Sequence, residues 1–212
     1  MKRTIRKSGL CGMTLMLAGV LPALGSDAET TARATGSRFG PGTATATARY
    51  EGDLGFARTD TRSGSVNIAR GVAVGLDEDG LSFSFSTAIA PRLGPAFGTT
   101  FNMTLGSNGE VASSVGTGLA AGGLARTVNV GGSAASTRFG ATSTARAGGS
   151  TVGGGVVKAS TTSDHYRVLP TIGHAARIEV RGPAVAVGGR VAGRDDGSTR
   201  YVRTVHRVVR SR

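Results

Sequence analysis

The sequence is poor in the residues that most catalytic clefts use. It contains no tryptophan, and aromatic residues make up 5% of the chain. Because sugar-cleaving clefts stack substrate rings on aromatic side chains, this scarcity argues against a carbohydrate-active enzyme. The chain also has no P-loop, no Gly-x-Ser-x-Gly elbow and no dinucleotide-binding glycine motif. The sequence therefore predicts a non-enzymatic protein with no catalytic residue and no cofactor.

Cysteine is almost absent, and histidine is scattered. The single cysteine, Cys11, lies in an N-terminal apolar segment, so the remainder predicts no disulfide, thiol chemistry or thiolate metal site. The three histidines, His165, His174 and His206, have neither helical i, i+4 spacing nor an evident carboxylate partner. We interpret them as surface or packing residues, and the sequence predicts no metal site.

The N-terminal 25 residues are typical of a secretory signal peptide. An uncharged apolar run, Leu10–Leu24, follows four basic residues, Lys2, Arg3, Arg6 and Lys7. The run is short for a membrane span, and small residues stand at its end. We expect an exported protein, in the periplasm, at the cell surface or outside the cell; an uncleaved anchor is the alternative. Removal of the four bases lowers the net charge from +12 to +8.

Residues 66–115 carry two consecutive hairpin signals and are predicted to form the core. In the first, pairing Leu76 with Leu81 also brings Val72 opposite Phe85, with all apolar side chains on one face. In the second, Leu105 pairs with Val111. The opposite face of the first hairpin carries small and mostly polar residues. We expect the apolar face to be the buried one, beneath a cover formed by the rest of the chain.

The segments on either side of this core have weaker signals. Residues 26–65 are predicted to be a polar leader and a first strand, Thr43–Tyr50, with its threonines toward solvent and its alanines inward. Residues 26–42 read as flexible and 51–65 as a loop or irregular hairpin. Residues 116–163 are rich in Gly, Ala, Ser and Thr and predict thin, solenoid-like β structure or partial disorder. Glycines recur there every nine residues, at Gly122, Gly131, Gly140 and Gly149.

Residues 164–212 predict a C-terminal β segment with a basic tail. One or two strands are expected around Pro170, and a short hairpin over Gly188–Gly189. The tail combines a β-branched composition with helical spacing of its valines, and we favour a strand. Its candidate anion-binding residues are Arg200, Arg203, Arg207, Arg210 and Arg212.

These features together predict a mainly β fold, in which antiparallel hairpins form an elongated sheet, a sandwich or a roll. The leading functional hypothesis is a non-enzymatic exported structural, surface or matrix protein that self-associates through β edges. One alternative is a soluble module that binds an anionic polysaccharide or a membrane surface through the Arg-rich tail. The other alternative is a hydrolase whose acidic residues meet only in the folded chain. No specific nucleic-acid partner is expected.

Overall fold

The fold is an antiparallel β sandwich of two facing sheets. The computed structural model describes residues 25–166, 172–180, 184–192 and 206–208, and the side chains of residues 25–165. Every regular element within these ranges is a β strand. The fold class predicted from the sequence is confirmed, and the sandwich is the arrangement that the chain adopts.

The described residues contain thirteen strands, and consecutive groups of two to five strands belong in turn to one sheet and then to the other. The six-stranded sheet has the order β13-β12-β9-β8-β1-β2. Its strands are β1 Asp27–Ser37, β2 Thr43–Glu51, β8 Ala125–Thr137, β9 Gly140–Val152, β12 Ala184–Ala192 and β13 His206–Val208. The seven-stranded sheet has the order β11-β10-β7-β6-β5-β4-β3. Its strands are β3 Leu54–Arg62, β4 Val66–Asp77, β5 Gly80–Pro91, β6 Ala96–Gly106, β7 Val111–Ala121, β10 Val156–Tyr166 and β11 Ile172–Val180.

The two predicted hairpins form with the predicted register. Leu76 is paired with Leu81, and Val72 with Phe85, in the β4–β5 hairpin. Leu105 is paired with Val111 in the β6–β7 hairpin. A third pairing, β5 with β6, joins the two hairpins into one continuous sheet. The predicted strand at residues 43–50 is also present as β2, with exposed threonines and partly buried alanines.

Three segments differ from the sequence predictions. The segment predicted as a flexible leader instead forms β1, which pairs with β2 on one side and β8 on the other. The predicted loop at 51–65 contains β3. Residues 184–192, predicted as a short hairpin, form the single strand β12, with Gly188 and Gly189 inside it. The two glycines do not form a turn, because both pair with residues of β9.

The Gly-rich region 116–163 supplies strands to both sheets. It includes most of β7, all of β8 and β9, and most of β10. Gly122 and Gly140 lie at or next to turns, whereas Gly131 and Gly149 lie inside strands. The nine-residue glycine spacing therefore does not mark one repeated turn.

The interior between the sheets is built from small side chains, and here the burial predicted for the hairpins is wrong. On β4 the buried positions include Ala69, Gly71 and Ala73, while Val72 and Val74 point outward. The remaining core is likewise mostly alanine, serine and threonine, with Val128, Val130 and Val157 as its larger apolar members. The face that carries small residues is the buried one, because only small residues let the backbones of the two sheets approach closely. A Cβ placed on Gly71, for example, would lie 2.8 Å from the carbonyl oxygen of Thr47.

Many hydroxyl groups form hydrogen bonds with one another across this interior. Thr30 Oγ1 of the six-stranded sheet lies 2.8 Å from Ser84 Oγ and 2.7 Å from Ser86 Oγ of the seven-stranded sheet. Ser114 Oγ lies 2.6 Å from Ser143 Oγ in the same way. Buried polar groups are tolerated only with such partners, so the network joins the sheets where large apolar contacts are few.

Candidate interaction surface

The outer face of the seven-stranded sheet is an extended apolar surface. Side chains from neighbouring strands line up across it in rows, because the antiparallel registers continue from β3 to β10. The row nearest the β4–β5 turn consists of Leu54, Leu76, Leu81, Leu105 and Val111. We call the outward side chains of β3–β7 the apolar face.

Two further apolar rows lie next to this leucine row. The second row contains Phe56, Val74, Phe83 and Met103. The third row contains Val72, Phe85, Phe101 and Val115, with Arg58 at its β3 end. The rings of Phe83 and Phe101 are in tilted contact, with centroids 6.0 Å apart. These rows place the largest aromatic side chains at the middle of the face.

A polar row separates these three rows from a last apolar one. The polar row contains Asp60, Arg70, Thr87, Thr99 and Thr117. The last apolar row contains Ile68, Ile89, Phe97 and Leu119, with Arg62 at its β3 end. One row of polar side chains therefore crosses the apolar face, and charged side chains border it at β3.

The apolar side chains of this face are accessible to solvent. Leu54, Phe56, Leu76, Phe97, Phe101 and Leu105 are all exposed, with exposed fractions from 36% to 67%. Contiguous exposed apolar areas of this size are uncommon on monomeric soluble proteins and mark sites of association. The sequence analysis places Leu76 and Leu105 on the apolar sides of the two hairpins but assigns those sides to the core, and it does not place Leu54, Phe56 or Phe97 there.

The outer face of the six-stranded sheet has the opposite character. Its rows carry threonines and serines together with charged side chains. Thr31 Oγ1 and Thr47 Oγ1 are hydrogen-bonded at 2.6 Å on this exposed surface, and Arg49 forms an ion pair with Glu51. The sandwich therefore has one polar side, a small-residue interior and one apolar side.

The edge of the apolar face at β3 carries alternating charges. Arg58, Asp60 and Arg62 alternate along this strand, whose residues are almost all exposed. Charged side chains on an edge strand hinder the addition of a further strand to the sheet. The charges on β3 therefore disfavour association through this edge and favour association through the face of the sheet.

The two ends of the sandwich carry charges of opposite sign. The end with the β4–β5 turn carries one arginine in a turn, Arg138, and the carboxylates Asp27, Glu51, Asp53, Asp77, Glu78, Asp79 and Glu110. The basic residues at the opposite end are Arg38, Arg62, Arg92, Arg126 and Lys158. Among the described residues, the turn segments at that second end contain no Asp or Glu.

One carboxylate at the acidic end has a perturbed pKa. The pKa of Asp27 is raised from 3.8 to about 6, mainly by burial and also by the neighbouring charges of Glu29 and Glu51, while Arg49 opposes the change. Asp27 lies on the outer side of β1 opposite Glu51. The acidic end is therefore a place where negative charges are close enough to repel.

The candidate residues named from the sequence are placed as follows. Of the arginines in the tail, Arg207 lies in the backbone of β13, and Arg200, Arg203, Arg210 and Arg212 lie outside the described residues. The signal segment 1–24 also lies outside them. His165 is buried on β10 and is a packing residue, as predicted, but contrary to expectation it has a carboxylate neighbour, with its Nε2 3.8 Å from Glu110 Oε2.

No group of three or more His, Cys, Asp or Glu side chains in the described part of the chain could hold a metal ion. Within the same residues, no helix is long and apolar enough to cross a membrane. No protein-family model, curated protein or solved structure matches the chain.

Proposed function

We propose that this protein is an exported, non-enzymatic structural protein of a surface or matrix, and that it associates with a second copy of itself through the apolar face. The observation that supports this most strongly is the opposite polarity of the two outer sheet faces. Packing two apolar faces together removes them from water and leaves the polar faces exposed on both sides. The product is a four-layered unit whose outer surfaces are polar.

The size of the apolar face supports a second copy as its occupant. Five rows spaced by two residues extend about 27 Å along the strands, and five strands cover about 24 Å across them. This footprint of about 650 Å² per copy would bury about 1,300 Å² in a pair, which lies within the usual range of specific protein interfaces. An area of this size is sufficient for a stable dimer.

The composition of the face also supports association through it. Interface centres are enriched in aromatic residues and methionine, and their rims are polar. Phe83, Phe85, Phe101 and Met103 lie at the centre of the apolar face, and Arg58 and Arg62 lie at its β3 edge. The same arrangement that leaves a monomer with exposed phenylalanines gives a dimer a buried aromatic centre.

The test is the mass of the mature chain in solution. Analytical ultracentrifugation at micromolar concentration is expected to show a dimer or larger species for residues 26–212. The double substitution Phe85→Thr and Phe101→Thr is expected to yield the monomer, because it puts two hydroxyls at the centre of the interface. Threonine is suited to strands, so the variant should keep its β structure in circular dichroism.

A matched control changes two phenylalanines outside the apolar face. Phe39 and Phe139 lie in turns next to the six-stranded sheet and are 80% and 58% exposed. Phe39→Thr with Phe139→Thr is expected to leave the association unchanged. If the mature chain is monomeric and floats with phosphatidylcholine vesicles, the apolar face binds a lipid surface and the proposed dimer is wrong. A monomeric chain that does not float would overturn association through this face altogether.

Export is tested separately. Cell fractionation with N-terminal sequencing of the recovered protein is expected to give a chain that begins near Ser26 in an envelope or matrix fraction. Recovery of the intact N-terminus in the cytosol would contradict the export part of the proposal. Neither result depends on the dimer, so the two parts can fail independently.

A further inference from the structure

A single arginine is buried between the two sheets at the basic end of the sandwich. Arg126 is the second residue of β8 and is 2% exposed. Its cross-strand neighbours are Gly36 on β1 and Thr151 on β9. It is the largest side chain among those that are almost completely buried, in a core otherwise built from small residues.

The guanidinium group of Arg126 is only partly satisfied by the protein. Its Nη2 donates a hydrogen bond of 2.7 Å to the carbonyl oxygen of Arg92. Its Nε is buried and has no hydrogen-bond partner, and the same is true of Thr151 Oγ1 on the neighbouring strand. Two unsatisfied buried polar atoms therefore belong to residues directly opposite each other in the sheet.

The charge of Arg126 also lacks a counterion among the described residues. None of the ion pairs among the described residues includes Arg126. A guanidinium group cannot lose its proton in a protein, so burial does not neutralise it. A buried, uncompensated charge is strongly destabilising, and native structures provide it with a partner.

The surroundings of Arg126 favour an anion as that partner. The turn segments at this end contain no Asp or Glu, whereas Arg38 and Arg92 lie in two of them. These cations produce a positive local potential, which attracts an anion and disfavours a cation. The neighbouring inward positions carry Ala90, Ala96 and Ala120, all fully buried, so the partner must be small.

We propose that a small monovalent inorganic anion, of the size and charge of chloride, binds at Arg126 between the sheets. It accepts a hydrogen bond from Arg126 Nε and one from the Thr151 hydroxyl, and its charge neutralises the guanidinium. The site is independent of the apolar face, because it lies inside the sandwich at the end opposite the β4–β5 turn. Chloride, rather than sulfate or phosphate, fits a group that is 2% exposed.

The experiment is thermal unfolding of the mature chain at constant ionic strength, with sodium chloride replacing sodium gluconate in steps. An anion that binds only the folded state raises the midpoint of unfolding with concentration. The midpoint of the unsubstituted protein is expected to rise with chloride, and this dependence should be lost in Arg126→Leu. Thr151→Val removes one donor and is expected to weaken the apparent chloride affinity several-fold.

A control and an independent readout keep the proposal testable if Arg126→Leu does not fold. Arg33→Leu, on the exposed side of β1, is expected to retain the full chloride dependence. Crystals of the unsubstituted protein grown in sodium bromide are expected to show an anomalous peak beside Arg126 Nε. A water molecule there instead of bromide, or a midpoint that is the same in chloride and gluconate, would overturn the proposal.

Discussion

Asn102 of β6 donates a hydrogen bond from Nδ2 to the backbone carbonyl of Thr144 on β9, at 2.9 Å, across the interior of the sandwich. Its Oδ1 accepts a hydrogen bond of 2.6 Å from Ser84 Oγ. One buried amide thus connects its own sheet to the backbone of the facing one. Such a link is characteristic of this interior, where hydrogen bonds between small side chains take the place of large apolar contacts.

Asn102→Ala is expected to lower the free energy of unfolding by about 1–3 kcal/mol, because it removes buried hydrogen bonds to partners on both sheets. The measurement is urea unfolding followed by circular dichroism. Thr47→Ala is the comparison, since it removes an exposed hydroxyl hydrogen bond and should change stability by less than about 0.5 kcal/mol. Equal effects of the two substitutions would show that the interior network does not hold the sheets together.

Gly132→Ala tests how closely the sheets approach. A Cβ at this position would collide with the Asn102 amide and with the carbonyl oxygen of Thr144, neither of which can move freely. Overpacking of this kind is expected to destabilise the protein by about 2 kcal/mol or more. Gly64→Ala adds the same methyl group where nothing lies within 4 Å and should have little effect. A stable Gly132→Ala protein would mean that the sheets lie further apart than the structure shows.

The raised pKa of Asp27 predicts a pH dependence of stability. The folded state binds the Asp27 proton more tightly than the unfolded chain does. The contribution of protonated Asp27 to the stability of the folded state is therefore fully present below pH 4. It is lost as the pH rises to about 6. Asp27→Asn should remove this part of the dependence and stabilise the protein at pH 7.5 by about 1–2 kcal/mol, after allowance for solvent at a partly exposed group. Urea midpoints of both proteins at pH 4.5 and 7.5 provide the test, and parallel changes in the two would contradict it.

Association through the apolar face predicts a concentration-dependent thermal midpoint. A dimer is stabilised by mass action, so the midpoint of the mature chain should rise with protein concentration between about 1 and 100 μM. The Phe85→Thr, Phe101→Thr variant should show the same midpoint at every concentration. The Phe39→Thr, Phe139→Thr control should keep the dependence. A constant midpoint in all three proteins would count against the dimer.

The pairing of the central strands could be predicted from the sequence, but the buried face could not. Alternation fixes which residues share a face, and the pairs Val74–Phe83 and Phe101–Val115 follow from it. It does not fix which face another sheet covers. Side-chain hydrophobicity favours burial of the valines and phenylalanines. The facing sheet, however, is made of Ala, Gly and Thr, and it fits the small face.

The strands without large apolar residues were harder to predict. The region that forms β1 reads as a flexible leader in the sequence, because residues 26–42 are small and polar and include Gly36, Gly40, Pro41 and Gly42. Its alternation of inward Ala28, Thr30, Ala32 and Ala34 was a usable signal, the same as that of β2. The burial of Arg126 has no local signal at all, because it depends on β1 and on the segment after β5, where the carbonyl oxygen of Arg92 accepts its hydrogen bond, and both are distant along the chain.

The opposite charges at the two ends of the sandwich give the described part of the molecule an electric dipole moment along its strands. In a face-to-face pair, two such dipoles oppose each other when the strands of the copies run in opposite senses, and they add when the strands run in the same sense. The antiparallel orientation places the acidic end of one copy over the basic end of the other. It has the lower electrostatic energy, and its advantage is greatest at low ionic strength, where screening is weakest. In the proposed pair, charge therefore sets the relative orientation of the two copies, while the apolar rows supply the binding energy.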